Sequence, residues 1–283
     1  MKKIAILITC HNRRLKTLAC LGSFLQADAA SKFDSEIWLV DDGSTDGTDL
    51  AVQALYPQVI IIKGDGNLFW NGGMHLAFEA ALKKGYDYYM WLNDDTLLYP
   101  SSLQRLIEVS TQLKLDQGRG VIIVGATQDE FTGEISYGGV VRPSKWKPTS
   151  FKLMPSRAEA VRCDTMNGNC VLIPNEIAQK LGGMEPAFAH AMGDLDYGLR
   201  AGYAGFEVWV MPGFVGTCSN NPATGSFNDA ALPVSVRLRK MLQPKGLPLR
   251  SWRVFTQRHA GVFWPVYWLW PYINLIVKGM FGR

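Results

Sequence analysis

Tyr88-Tyr89-Met90-Trp91-Leu92-Asn93-Asp94-Asp95-Thr96 is an apolar run that stops at two adjacent carboxylates. An unbroken apolar stretch of this length reads as a strand buried on both faces, the pattern of a parallel sheet. Open α/β sheets bind ligands just beyond the carboxyl ends of their strands, which is where Asp94 and Asp95 fall. Neighbouring carboxylates repel, so a site that keeps both needs a cation to satisfy them. One reading is a metal that carries phosphates. The other is an Asp-Asp turn in which Asp94 or Asp95 caps the next helix.

Outward from this strand, the first half of the chain alternates. Residues 4–8 form an apolar strand, and Leu15, Leu18, Leu21 and Leu25 follow at helical spacing. Residues 36–40 are the next strand and stop at Asp41-Asp42-Gly43-Ser44. Thr48 or Asp49 is a suitable N-cap for the helix that runs to Leu55. Residues 59–62 are a third strand, and Gly72-Gly73 opens a helix that ends before Gly85. Ser101-Ser102-Leu103-Gln104 has the pattern of a capping box. Strands and helices at this spacing predict βαβ units and a mainly parallel sheet. The second half is less regular. It has strands near 120–125, 170–173 and 206–211, half of an antiparallel pair at 135–142, and a polar loop at 143–160. Residues 193–200 enter a helix at Asp194 and Asp196. Residues 216–233 are a long polar loop, read here as a lid over the site.

Composition bounds the class. The 283 residues are 47% hydrophobic and 19% charged, enough for one large α/β domain or two small ones. The start, Met1-Lys2-Lys3 running straight into a strand, lacks the pattern of a secretory signal. Five cysteines at irregular spacing, with no CxxC, predict reduced thiols in a cytoplasmic setting. The net charge of +4 is unevenly spread: residues 230–283 hold nine Lys or Arg and no acid, leaving 20 basic against 25 acidic residues before them. An acidic body with a basic tail suits an anionic surface.

Two strands in neighbouring units end in acid pairs, Asp41-Asp42 and Asp94-Asp95, and point to one acidic cleft. Asp194 and Asp196 form a third pair. Their spacing does not put both on one helix face, so they have different tasks, with Arg200 a partner for one of them.

Four motifs then come in order: Ile8-Thr9-Cys10-His11-Asn12-Arg13, Val40-Asp41-Asp42-Gly43-Ser44-Thr45-Asp46-Gly47-Thr48, Asn93-Asp94-Asp95 and Gly193-Asp194-Leu195-Asp196. Over residues 3–220 this resembles the family-two inverting glycosyltransferases, which have the GT-A fold. The stretch from Gly66-Asn67-Leu68-Phe69-Trp70 to Met74 looks like the bacterial branch that builds surface polysaccharides and includes rhamnosyltransferases. The resemblance implies an α/β nucleotide-diphospho-sugar transferase fold with a mainly parallel central sheet and a helical C-terminal extension. It implies a transferase domain over 1–229, with a nucleotide half to about 115 and an acceptor half from 116, followed by a basic, aromatic segment over 230–283. Thr9, His11, Asn12, Asp42, Gly73, Asp94 and Asp95 fall where the family binds the nucleotide sugar. Asp95 falls where it binds Mg²⁺ or Mn²⁺, and Asp194 matches the catalytic base. Asn93, Asp196, Arg200 and Trp70 would support the site. Two positions depart from the pattern: Gly193 stands where Glu is common, and Cys218 where a metal-binding His is common. A thiolate is a poor ligand for a hard cation.

In the tail, residues 260–277 carry no charge, but Pro265, Pro271 and Asn274 interrupt them and Tyr267, Trp268, Trp270 and Tyr272 crowd together. Aromatics beside basic residues suit the membrane interface better than a span. Residues 237–281 are therefore expected at the inner face of the cytoplasmic membrane. The alternative is packing on the body or on a second copy, as a homodimer. These readings predict transfer from a nucleotide-diphosphate sugar to a saccharide acceptor, lipid-linked given the tail, in cell-surface polysaccharide synthesis. The rivals are a sugar nucleotidyltransferase, which lacks its Gly-rich loop here, and a silent membrane-bound module. Nucleic-acid binding is disfavoured because the aromatics do not alternate with the charges.

Overall fold

The computed structural model describes residues 1–29, 33–220 and 224–280. The N-terminal half contains β1 (Lys3–Cys10), α1 (Arg14–Asp28), β2 (Asp34–Asp41), α2 (Thr48–Leu55), β3 (Ile60–Lys63), α3 (Phe69–Lys84), β4 (Tyr88–Leu92), β5 (Leu97–Leu98) and α4 (Ser102–Gln117). Next come β6 (Ile122–Gln128), β7 (Ile135–Tyr137), β8 (Gly139–Val141), β9 (Lys152–Leu153), β10 (Val161–Cys163), β11 (Thr165–Met166) and β12 (Cys170–Pro174). The chain continues through α5 (Asn175–Leu181), α6 (Gly193–Tyr203), β13 (Val208–Thr217), α7 (Val234–Met241), α8 (Leu249–His259) and α9 (Trp264–Met280).

The main sheet runs β10-β13-β6-β12-β4-β1-β2-β3, and β11, β8 and β9 form a small second sheet. β3, β2, β1 and β4 are parallel, so their carboxyl ends share one edge. β12 runs antiparallel to β4, with Cys170 opposite Leu92, so the chain just before β12 reaches that same edge. The apolar runs are continuous because both faces of the sheet are covered. Ile4, Ile6 and Ile8 enter one core with Phe24 and Leu106, while Ala5 and Leu7 enter the other with Phe78 and Tyr197.

Local details correct three sequence expectations. Neither Thr48 nor Asp49 caps α2. Gly47 holds that position at φ 75°, and Asp46 Oδ1 accepts the Thr48 N–H at 3.1 Å while Oδ2 accepts the Arg14 N–H at 3.0 Å. One side chain thus ties down the starts of two helices. The capping box is also absent: Ser101 is left-handed, the Ser102 hydroxyl donates to the Val215 carbonyl at 2.7 Å, and Gln104 reaches Glu108. Finally, α3 begins at Phe69, so Gly72 and Gly73 lie inside it.

The tail does not stand apart. Phe255, Trp252, Met241, Tyr272 and Leu275 form a third apolar cluster with Phe188, Met192 and Leu199 of the body. No helix among the described residues is long and apolar enough to cross a membrane. Within α9, Tyr272 and Leu275 are buried, whereas Val266, Trp270, Ile273 and Val277 are exposed at i, i+4, i+7 and i+11, one continuous stripe. Phe281 and residues 221–223 of the loop read as a lid lie outside the described residues.

Candidate functional site

Because β1, β2 and β4 are parallel, the residues after each strand converge: His11 to Arg13, Asp42, and Asn93 to Asp95. Asp42 is almost fully buried. Its Oδ1 accepts the N–H groups of Gly66 at 2.8 Å and Leu68 at 3.2 Å, and its Oδ2 accepts that of Phe69 at 2.9 Å. A carboxylate has about four acceptor sites. Three are taken up by the start of α3, which leaves about one for a ligand. The His11 Nδ1–H donates to the Asp42 carbonyl, so Nε2 is the acceptor and takes the Asn12 amide at 3.1 Å. Asn12 is left-handed at φ 51° and binds Ser44 and Thr45 of the neighbouring turn. Gly73 does not line the cleft. A Cβ there would stand 2.1 Å from the Thr9 hydroxyl, so glycine is what lets α3 lie against the end of β1. Thr9, His11, Arg13, Asp42, Phe69, Trp70 and Asp94 line a cavity of about 220 Å³.

Asp41 does not join the cleft. It pairs with Lys63 at 3.2 Å and accepts the Ser44 N–H. The second acid pair finds its cation in Arg13: one guanidinium nitrogen meets Asp94 Oδ1 at 2.7 Å and the other meets Asp95 Oδ2, with Lys16 3.8 Å from the same oxygen. Burial pushes Asp94 up to about 7 against the pull of Arg13, with the Asp95 charge adding to the rise. Cys218 is buried, and its thiol is raised to about 12 by burial and by Asp95. It stays protonated and donates to Asp95 Oδ1 at 3.5 Å, while Asn169 donates to its sulfur. Cys218 therefore orients Asp95 and does not present a thiolate. Among the described residues no three His, Cys, Asp or Glu side chains cluster as a ready metal cage. Still, Asp94 Oδ2 is buried with no hydrogen-bond partner, and both acids offer hard oxygens. That donor set fits Mg²⁺ or Mn²⁺ held jointly with phosphate oxygens.

Asp194 opens α6 and is half-buried. Its Oδ2 accepts the Gly168 N–H at 3.0 Å, and burial raises its carboxyl above the usual aspartate range despite that bond and the Leu195 N–H. Gly168 belongs to the segment that β12 brings to this edge. A Cβ on it would lie 2.4 Å from the Trp70 ring. Gly193 has a comparable reason: a Cβ there would lie 1.6 Å from Asn71 Oδ1. Asn71 in turn donates to the carbonyls of Glu185 and Phe188, fixing the chain that leads to α6. The missing Glu is thus a packing requirement. Trp70 donates to Asn93 Oδ1 at 2.6 Å and faces the cleft. Asp94, Asp95, Asp194, Trp70 and Asn93 share a second cavity of about 390 Å³ with Asn167 and His190.

Asp196 points away from this cavity and is fully buried. It binds Arg200 at 2.7 Å, Arg258 at 2.6 Å and His259 Nε2 at 2.8 Å. Burial alone would raise its carboxyl; these three partners outweigh burial and hold it below the usual range. Asp196 and Arg200, expected to support the site, are tied through this carboxylate to α8, which the sequence did not connect to them. Arg13 was visible inside a motif but its fork across both acids was not. His190, Lys245, Gly168 and Asn71 carried no pattern of their own. Of the four left-handed non-glycine residues among the described residues, three (Asn12, Phe69, Met192) stand around this cleft, as strained backbone does at functional sites.

Comparison with known proteins agrees with this architecture. The chain is 26% identical over 182 residues to the uncharacterized proteins Mb1552 of Mycobacterium bovis and Rv1525 of Mycobacterium tuberculosis. That match covers 61% of this chain and 64% of each relative. Among solved structures, it resembles the mannosyltransferase PcManGT from Pyrobaculum calidifontis in complex with GDP-Man and Mn²⁺. The TM-score is 0.56 at 14% identity, over 98% of this chain and 73% of that one. This is a likeness of fold. The profile of glycosyl transferase family 2 matches residues 5–182, more than half of the sequence, ending before Asp194. The chain belongs to glycosyl transferase family 2.

Proposed function

We propose that this protein is an inverting glycosyltransferase that moves a sugar from a nucleotide-diphosphate donor to a saccharide hydroxyl. The observation that carries the reading is one cavity whose lining brings together Asp94, Asp95, Asp194 and Trp70. The nucleotide would lie along Thr9, His11 and Asp42, the wall built from the parallel strand ends. Asp95, with Asp94 beside it, would hold a divalent metal, which when bound supplies positive charge to the departing diphosphate.

Asp194 acts as the general base. Its Oδ takes the proton of the acceptor hydroxyl as that oxygen bonds to the anomeric carbon, and the bond to the diphosphate breaks on the opposite face. One displacement inverts the carbon, with no covalent intermediate. The raised carboxyl brings the base closer to working pH and strengthens it as a proton acceptor. The Gly168 N–H keeps it aimed. Trp70 offers a ring face against which a sugar can stack. The exposed stripe of α9 and the basic residues around it favour attachment to the inner face of the cytoplasmic membrane. That placement supports a lipid-linked acceptor and a role in surface polysaccharide synthesis. Gly193 and Cys218 are each built into the site, which favours an enzyme over a silent module.

The test is Asp194→Asn in the full chain. Nucleotide-sugar affinity is expected within about twofold of the parent, while transfer falls about 10²–10⁴-fold, the usual range for a general base. Retained turnover would remove Asp194 from the role. Pyrophosphate release from a sugar phosphate and a nucleoside triphosphate would instead assign the nucleotidyltransferase reading.

A further inference from the structure

The two cavities meet at a waist formed by five shared residues: Arg13, Trp70, Asp94, His190 and Lys245. Four belong to the body. Lys245 comes from the tail, in the turn of residues 242–248 between α7 and α8.

That turn is firmly built. The Gly246 N–H donates to the Gln243 carbonyl at 2.8 Å, and the Leu247 N–H donates to Met241 at 2.6 Å. A Cβ at Gly246 would stand 2.4 Å from the Met241 carbonyl oxygen, so only glycine permits the approach. From α9, the Tyr272 hydroxyl donates to the Leu247 carbonyl at 2.5 Å, and the Trp268 indole donates to Leu249 at 3.1 Å. Two aromatics of the tail therefore hold the turn that carries Lys245 over the cleft.

Charge at the waist points to the ligand. Arg13 is committed to Asp94 and Asp95, and Lys16 also lies near Asp95. His190 is held neutral, lowered to about 4 by burial and by the nearby Lys245. Lys245 makes no ion pair among the described residues and is the uncompensated charge there. A ligand spanning both cavities, with its base by Asp42 and its reacting carbon by Asp194, has its midpoint at this waist. In a nucleotide-diphosphate sugar the midpoint is the diphosphate. We propose that Lys245 binds the donor diphosphate, so that the C-terminal segment completes the donor site and does more than anchor the chain. This rests on the glycosyltransferase reading above.

The experiment is calorimetric titration of the full chain with uridine, guanosine and thymidine diphosphates and with the matching nucleosides, in EDTA and in Mn²⁺. It compares the parent with Lys245→Met and Lys245→Arg. For the diphosphate that binds the parent, Lys245→Met is expected to weaken binding about tenfold in both buffers, with nucleoside affinity unchanged. Lys245→Arg is expected to stay within about threefold. Tyr272→Phe, which frees the turn, is expected to lower diphosphate affinity less than Lys245→Met and again spare the nucleoside. Undiminished diphosphate binding by Lys245→Met overturns the proposal and leaves the glycosyltransferase reading standing. So does an equal loss for diphosphate and nucleoside, which would mark a general distortion. No binding of any diphosphate to the parent overturns both.

Discussion

Replacing Asp196 by Ala removes one carboxylate that three cationic or hydrogen-donating groups share. Asp196 and His259 have no exposed side-chain surface, while Arg200 and Arg258 keep 18% and 31%. Breaking a buried pair costs about 3–5 kcal/mol, because a charge is left without its partner. Here both guanidiniums retain other acceptors: Arg200 the carbonyls of Leu181 and Gly183, Arg258 the carboxylate of Glu185. The lower end, about 3 kcal/mol, is therefore expected. At about 2 °C per kcal/mol for a chain of this size, the melting temperature falls about 6 °C. Calorimetric unfolding measures it, and chemical denaturation supplies the free energy. A cycle with Arg258→Met locates the coupling between α6 and α8, with an interaction of at least about 1 kcal/mol expected. A loss below about 1 kcal/mol, or additive variants, would refute the claim that α8 is clamped to α6 through this carboxylate.

Other outcomes follow from the same geometry. Gly193→Ala forces a methyl against Asn71 and is expected to cost about 1–3 kcal/mol; the cost should shrink in an Asn71→Ala background, and equal costs would refute the contact. Burial holds His259 below its ordinary 6.5, so the folded chain binds fewer protons than the unfolded one between that lowered value and 6.5. Stability should therefore rise with pH across this window, and His259→Gln should flatten the rise in denaturation at pH 5 and pH 7. Val266→Asp with Trp270→Asp alters exposed positions of α9 and should abolish flotation with anionic liposomes while leaving melting within about 2 °C; unchanged flotation would count against membrane attachment.

Much of the N-terminal half was legible because its signals are local. A strand buried on both faces must be apolar throughout, and the acids that end β2 and β4 interrupt that pattern sharply. What stayed hidden depends on contacts across the chain. Asp41 and Asp42 look alike in sequence, yet Lys63 claims one and the first turn of α3 claims the other. The capping box at Ser101 failed because a left-handed residue turned both side chains elsewhere. Direction is also silent in a short apolar run, so the antiparallel course of β12 could not be read. Gly193 looked like a loss of chemistry until Asn71 filled the space beside it. Lys245 sits in an ordinary Pro-Lys-Gly turn, and only folding carries it to the cleft.

The reversed strand β12 has a consequence for how such a site can vary. One wall of the cleft hangs on strands running outward, while the Asn167-Gly168-Asn169 wall hangs on a strand running inward. The two walls touch where Gly168 abuts the Trp70 ring and where the Asn93 N–H donates to the Asn169 carbonyl, so a change in one is felt in the other. Loops of opposite polarity are thus matched as a pair across one sheet edge, and a loop grafted onto either wall has to keep the fit of Gly168 against Trp70.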